Sequence, residues 1–389
     1  MTFETLFVPD AIRDAVSDAA WLQAMLNAER ALAAAEAEAG IIPAEAAAAI
    51  AQACRADLFE VEQIVAEGRA VANPAEPLVR ALRKHVGGDA AGLVHFGATS
   101  QDIVDTAAML VAQEARALLL GELDGVAGAC ARLAETYRET PMAARTLLQQ
   151  AVPTTFGAKA AGWLVSVLQG RRRLVDVHLP AQLGGAAGTL APLGAAGLQV
   201  VRLYADRLGL VEPALPWHSN RSCIAELAAA LDAAGAASAK IGLDVVLLAQ
   251  TETGEVAEAA GGISSTMPHK QNPARAVLAR ACARLVHANV GLLTSGEHEH
   301  ERAAGAWQAE WPALSAALAF AGGAAAAARE CLEGLEVRPE RMGANMTGSL
   351  FSERDAFVEQ GLIERDEDYL GSAAAFVDRA LELWRAEAT

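Results

Sequence analysis

The sequence is short of aromatic residues, of positive charge and of paired cysteines. Aromatics make up 5% of its 389 residues, although hydrophobic residues make up 53%. The apolar content is therefore mostly small or aliphatic, with alanine dominant, and such side chains favour closely packed helices over sheets. Lysine and arginine total 31 against 48 aspartates and glutamates, a net charge of −17. That balance argues against a nucleic-acid or anionic-membrane surface. It leaves room for an anionic substrate, because a few cations and backbone N–H groups in a cleft set a local field of their own. Cys54, Cys130, Cys223, Cys282 and Cys331 are widely spaced, with no C-x-x-C pair, which fits a reducing cytoplasm rather than a disulfide framework. The opening MTFETLFVPDAIRD lacks the basic and apolar regions of a signal peptide. No alternating apolar run of strand length stands out, and no repeat of about 20 to 50 residues is visible. The expected architecture is all-α.

Helical periodicity is what the chain does have. Trp21, Met25, Ala28 and Leu32 share one face. Gly40 and Pro43 punctuate, and two turn-rich stretches follow, VANPAEPLVRAL (71–82) and VGGDAAGLVHFGATSQD (86–102). The second marks the end of an N-terminal helical domain, 1–98. From Asp102 to Arg138 no proline interrupts the pattern, and a helix of that length runs roughly 55 Å. A second such stretch spans about 223 to 260, with Ile241, Val245 and Leu248 on one face. Helices so long belong to extended bundles, often shared between subunits. PALSAALAFAGGAAAAA (312–328) is uncharged but short and small-sided, and reads as a buried bundle helix rather than a membrane span. A central long-helix bundle over 99–337 and a short C-terminal helical domain over 338–389 complete the expected organisation.

One loop breaks this pattern with polar groups: GGISSTMPHKQNP, 261 to 273. Gly261 and Gly262 suit a helix end, and Asn272 and Pro273 suit the N-cap and first turn of the next helix. Loops held by rigid helices are where function concentrates, though a solvated turn with a surface lysine is the plainer account. HFGATSQDIVDTA (95–107) and ARTLLQQAVPTTFGAKAAGWL (144–164) are the other polar-bearing segments. Taken in order, these three segments resemble the active-site regions of the fumarase/aspartase superfamily, which includes argininosuccinate and adenylosuccinate lyases. With LGGAAGTLA (183–191), PWHSNR (216–221) and EHERAAGAWQAEW (299–311), the chain is similar to the muconate cycloisomerases of that superfamily. The likeness covers roughly residues 1 to 350 and implies the three-domain, long-helix fold with a shortened C-terminal domain. It also implies a homotetramer with shared active sites and lactone formation from 3-carboxy-cis,cis-muconate in protocatechuate catabolism, with no cofactor. An alternative is β-elimination from a succinate-type substrate such as nitrosuccinate or adenylosuccinate, releasing fumarate. A catalytically silent homologue is the third possibility, against which Ser264, Lys270 and Asn272 speak.

The chemistry of the superfamily moves a proton at the carbon beside a carboxylate, through an intermediate with extra negative charge. Such a step needs a proton carrier and preorganised positive groups. By the resemblance Ser264 is the carrier, Lys270 supplies charge that stabilises its alkoxide, Asn272 orients the lysine, and Thr266 and Met267 contact substrate. Thr99, Ser100 and Gln101 precede a helix, where hydroxyls and N–H groups make an anion site; capping is the alternative use of Thr99 and Ser100, and both can hold. His95 faces the same cleft or is an ordinary hydrogen-bonded histidine. Thr146 and Gln149 bracket Leu147 and Leu148, where superfamily lyases commonly carry Thr-His-x-Gln. Leucine cannot shuttle a proton, so the pattern suits a reaction that needs no acid there. His218, Asn220 and Arg221 are further carboxylate or carbonyl contacts; relatives often continue Arg-Asp-Arg where this chain has Arg221, Ser222 and Cys223. Ile263 stands where relatives usually have glycine. His298 and His300 diverge by about 200° on a helix and would not share a metal.

Overall fold

The structure, a computed structural model, describes residues 3–259, 262–263, 267 and 270–387, with backbone alone at 262–263. Ser264 and Thr266 lie outside the described residues. Helices dominate, as the composition predicts. Six precede residue 90: α1 (Glu4–Phe7), α2 (Asp10–Ala15), α3 (Asp18–Glu38), α4 (Ala44–Ala53), α5 (Val61–Gly68) and α6 (Ala75–Val86). Then comes α7 (Ser100–Thr136), whose 37 residues span about 55 Å. Thr99 is its N-cap, in a capping box: the Thr99 N–H donates to Asp102 Oδ2 at 2.9 Å, and the Thr99 side chain accepts from the backbone N–H of Asp102. Both orphan donors are thereby satisfied.

The bundle is completed by α8 (Phe156–Asp176), α10 (Ser222–Leu248), α11 (Ala274–Leu293) and α12 (Ala306–Glu333), with α9 (Gly197–Leu208) lying against α3. Contacts run α7 to α8 and α12, and α10 to α8, α11 and α12. Alanine lets these axes approach closely, and two glycines of α12 carry this furthest. A Cβ on Gly323 would stand 2.4 Å from the Phe7 carbonyl oxygen, and one on Gly322 2.6 Å from Ile12 Cδ1. The N-terminal segment is thus seated in a groove that only glycine leaves open. By length and hydropathy α11 and α12 could each cross a membrane, but α12 is mostly buried inside the bundle. Three short helices close the chain: α13 (Pro339–Asn345), α14 (Ser352–Glu359) and α15 (Ala373–Glu387).

The fold is mostly helical, as expected, and three local expectations need correction. The helix expected over 223–260 stops at Leu248: the Gln250 carbonyl accepts from the Thr253 and Gly254 N–H groups, and Gly254 takes φ +60° to turn the chain away. Strands exist as well. β1 (Pro141–Thr146) and β2 (Gln149–Thr155) form an antiparallel hairpin. β3 (Val256–Glu258) pairs with β6 (Leu335–Val337), and β4 (Gly262–Ile263) with β5 (Gln271–Asn272). Asn272 is therefore a strand residue facing Gly262 rather than a helix cap, and Pro273 occupies the N-cap position of α11.

Candidate active site

The N-terminus of α7 gathers one group of polar residues. Thr99 Oγ1 accepts from Arg302 Nη1 at 2.8 Å, and the same guanidinium reaches the Ala186 carbonyl at 3.0 Å. Asp102 does more than cap: its carboxylate accepts from the N–H groups of Gly184 and Gly185, each at 2.9 Å, and meets His218 Nε2 at 2.7 Å. Gly185 sits at φ +68°, and a Cβ there would meet the Gly97 carbonyl oxygen at 2.8 Å. The 183–191 loop, the 95–100 loop and His218 are thus locked around one carboxylate. The sequence reading missed Asp102 and Arg302 as organisers. The Thr-x-x-Asp spacing at 99–102 was the available signal for Asp102; Arg302 lay inside a quoted motif with nothing to give its direction.

Several expected substrate contacts are already engaged. Arg221 is buried with both carboxylates of an ion cluster: Nη1 and Nη2 meet Asp105 at 2.7 and 2.9 Å, and Nε meets Glu310 at 3.1 Å. Trp307 Nε1 adds a bond to Asp105 at 2.9 Å, and His298 Nε2 lies 3.0 Å from Glu310. This buried guanidinium is thus engaged by two carboxylates of its own chain. Gln101 is likewise buried, its amide donating to Asp105 and to the His218 carbonyl. The Asn220 side chain accepts from the Ser222 N–H and hydroxyl at the start of α10. His218 is buried on Asp102. Arg221, Gln101 and His218 are thus buried in internal pairings, while Asn220 stays exposed. His95, Thr99 and Ser100 stay partly exposed. His95 takes φ +63°, and its Nδ1 meets Glu29 Oε1 at 2.6 Å. Burial pulls the imidazole pKa down, but the charge and hydrogen bond of Glu29, with Asp102 behind them, win and the net shift is upward; Arg83 opposes it. Among the described residues no cluster of three or more His, Cys, Asp or Glu could hold a metal.

The remaining expected residues lie elsewhere in the same chain. Thr146 and Gln149 flank the exposed tip of the β1–β2 hairpin, formed by Leu147 and Leu148. Arg145 anchors the hairpin to Glu255 at 2.7 and 3.0 Å, and Glu255 N–H returns to the Leu248 carbonyl. The hairpin is therefore fixed at the C-terminal end of α10, while Arg221 stands at its N-terminal end. The 27 residues of α10 separate the two by about 40 Å. The described residues of the signature loop belong to the far group too. Lys270 is exposed, its N–H bonded to the Met267 carbonyl, Met267 is exposed, and β5 with Asn272 lies beside β3. Glu258 of β3 accepts the Arg275 and Ala276 N–H groups, pinning the start of α11.

A helical bundle of this length, carrying a polar, capped helix start at one end and a polar signature loop at the other, defines a class. The lyase family profile matches residues 8–287, and the chain belongs to that family, within the fumarase/aspartase superfamily. It is an enzyme of that superfamily. It is 47% identical to a nitrosuccinate lyase of Streptomyces davaonensis, over 89% of this chain and 77% of that protein. It is 43% identical to a 3-carboxy-cis,cis-muconate cycloisomerase of Bradyrhizobium diazoefficiens, over 86% of this chain and 77% of that one. The crystal structure of the 3-carboxy-cis,cis-muconate lactonizing enzyme from Pseudomonas putida superposes with a TM-score of 0.89 at 33% identity, covering 100% of this chain and 99% of the other.

Proposed function

We propose that the protein is a 3-carboxy-cis,cis-muconate cycloisomerase working as a homotetramer whose active sites draw on more than one subunit. Thr99, Ser100, the first N–H groups of α7, Arg302 and His95 take one substrate carboxylate. Lys270 and Asn272 come from the signature loop of another subunit, with Ser264 of that loop as proton carrier. A substrate carboxylate oxygen adds to the carbon–carbon double bond, the displaced electron pair moves onto the carbon beside a second carboxylate, and Ser264 gives that carbon its proton. The positive groups stabilise the charge that builds on the second carboxylate. The observation that carries this reading is Leu147 at the hairpin tip. A reaction that must protonate an amine or hydroxide leaving group needs an acid there, whereas ring closure uses a nucleophile the substrate already owns.

A second reading has its own support. Nitrite leaves without protonation, so elimination from a nitrosuccinate-type substrate tolerates Leu147 equally well, and the relative from Streptomyces davaonensis is named for that reaction. Parallel assays separate the two: ultraviolet loss of 3-carboxymuconate beside fumarate and nitrite release from nitrosuccinate. Turnover of the muconate, with Ser264→Ala lowering kcat on the order of 10²- to 10⁴-fold, is the expected result. Turnover of nitrosuccinate alone selects the second reading, and a Ser264→Ala enzyme within about threefold of wild type, well short of a lost general acid, removes the serine from both.

A further inference from the structure

Behind His95 lies a pair of carboxyl groups that this mechanism leaves unused. Glu29 and Glu36 stand two turns apart on α3, 1% and 0% exposed. Glu29 Oε1 meets His95 Nδ1 at 2.6 Å. Glu29 Oε2 and both oxygens of Glu36 have no hydrogen-bond partner among the described residues. A buried carboxylate without donors is costly, and Glu36 avoids that cost by keeping its proton: burial, and then the charge of Glu29, push its carboxyl up to about 8. At neutral pH Glu29 is therefore the single charge that α3 turns toward His95 from this pair. The other charges acting on the imidazole are Asp102 of α7, which favours its cation, and Arg83 of α6, which disfavours it while donating to the Val94 carbonyl at 3.1 Å. The thiol of Cys54, close to Glu29, is pushed up to about 12 by burial and stays neutral. With Nδ1 committed to Glu29, Nε2 is the ring nitrogen left for the cleft, and the side chain keeps 14% of its surface open.

We propose that Glu29 is a positioning residue of the active site, holding His95 as an imidazolium whose Nε2–H is aimed at the substrate carboxylate seated on Thr99. This rests on the reading of the start of α7 as a carboxylate site. Glu36 serves the arrangement by being neutral, since a second fixed charge behind Glu29 would add like-charge repulsion among buried groups. His95 holds a left-handed backbone conformation at φ +63° while making this contact.

The test begins on the protein without substrate. Site-assigned NMR titration of His95 is expected to give a midpoint above that of an ordinary histidine, and Glu29→Gln is expected to lower it by about one unit or more, the scale of a lost close countercharge. Glu36→Gln, which preserves the Glu29 contact, is expected to leave it raised. In kinetics, Glu29→Gln should raise KM for the carboxylate substrate at neutral pH about tenfold while kcat stays within about threefold, the signature of lost ground-state binding. Glu36→Gln should leave KM in place. A midpoint already ordinary in wild type, or one that Glu29→Gln does not move, overturns the proposal whatever the substrate proves to be, and the wild-type titration does so even if the variant fails to fold. A lowered midpoint with KM unchanged overturns it through the carboxylate-site reading on which it rests.

Discussion

Glu36 offers a stability measurement with a definite sign. Its carboxyl is fully buried, has no hydrogen-bond partner among the described residues and is pushed up to about 8. The unfolded chain releases that proton near the ordinary carboxyl value, about 4.3. Between those limits the folded state holds more protons than the unfolded state, so this group makes stability fall as pH rises. Glu36→Gln removes the ionisation while keeping the shape. Its melting temperature should decline less than that of wild type between pH 5 and pH 9, and a parallel decline would mean that Glu36 is hydrated and ordinary. Glu29 and Glu36 fall at helical steps from Met25 and Leu32, on the buried side of α3, but nothing local in the sequence says that they pair with His95 or keep a proton. Arg221 teaches the same lesson: an arginine in a polar motif was read as a substrate contact, but its partners Asp105 and Glu310 stand 116 and 89 residues away. Whether a charge meets substrate or another side chain is decided by tertiary pairing, and one sequence does not encode that locally. Thr99 and Asp102 were within reach, because a capping box is a local pattern.

Elements were legible where one mechanism acts along a segment. The start of α7 has a cap, a long apolar period and no proline, and the structure places its first residue at Ser100. The β1–β2 hairpin was hidden because its tip lacks turn chemistry. Leu147 and Leu148 take φ +50° and +63°, a conformation that hairpins usually assign to Asn-Gly. They are also 96% and 77% exposed. A tip that is both strained and apolar is explained if another subunit covers it, since burying one leucine is worth about 1.5 to 3 kcal/mol. Leu147→Asn with Leu148→Gly separates the two effects. The pair relaxes the backbone, so an uncovered tip would leave assembly unchanged and raise thermal stability. Under the tetramer proposed above, dissociation on dilution should instead begin at about tenfold or higher concentration, because lost leucine burial is repeated at every copy of the contact; light scattering across a dilution series reads this directly.

At the scale of the whole molecule, the distance between the two polar groups is the deciding quantity. The start of α7 and the described residues of the signature loop stand at opposite ends of α10, about 40 Å apart, and a small carboxylate substrate spans far less. Hinge motion does not bridge that gap, because α10 is a continuous helix of 27 residues packed on α8, α11 and α12. Under the assembly proposed above, two copies running antiparallel would bridge it, each bringing its loop to the other's helix start, and a closed symmetric assembly would repeat the arrangement at every site. This predicts complementation. A Thr99→Ala, Ser100→Ala double variant and a Lys270→Ala variant should each be nearly inactive, since each ruins one half of every site. Dissociated, mixed in equal amounts and reassembled, they should form some sites with both halves intact, about one in four for random association of subunits. Activity recovered toward a quarter of wild type, and absent when the two variants are mixed without dissociation, is the expected result. If every site were built within one chain, no mixed assembly would contain an intact site, and the mixture would stay as inactive as its components.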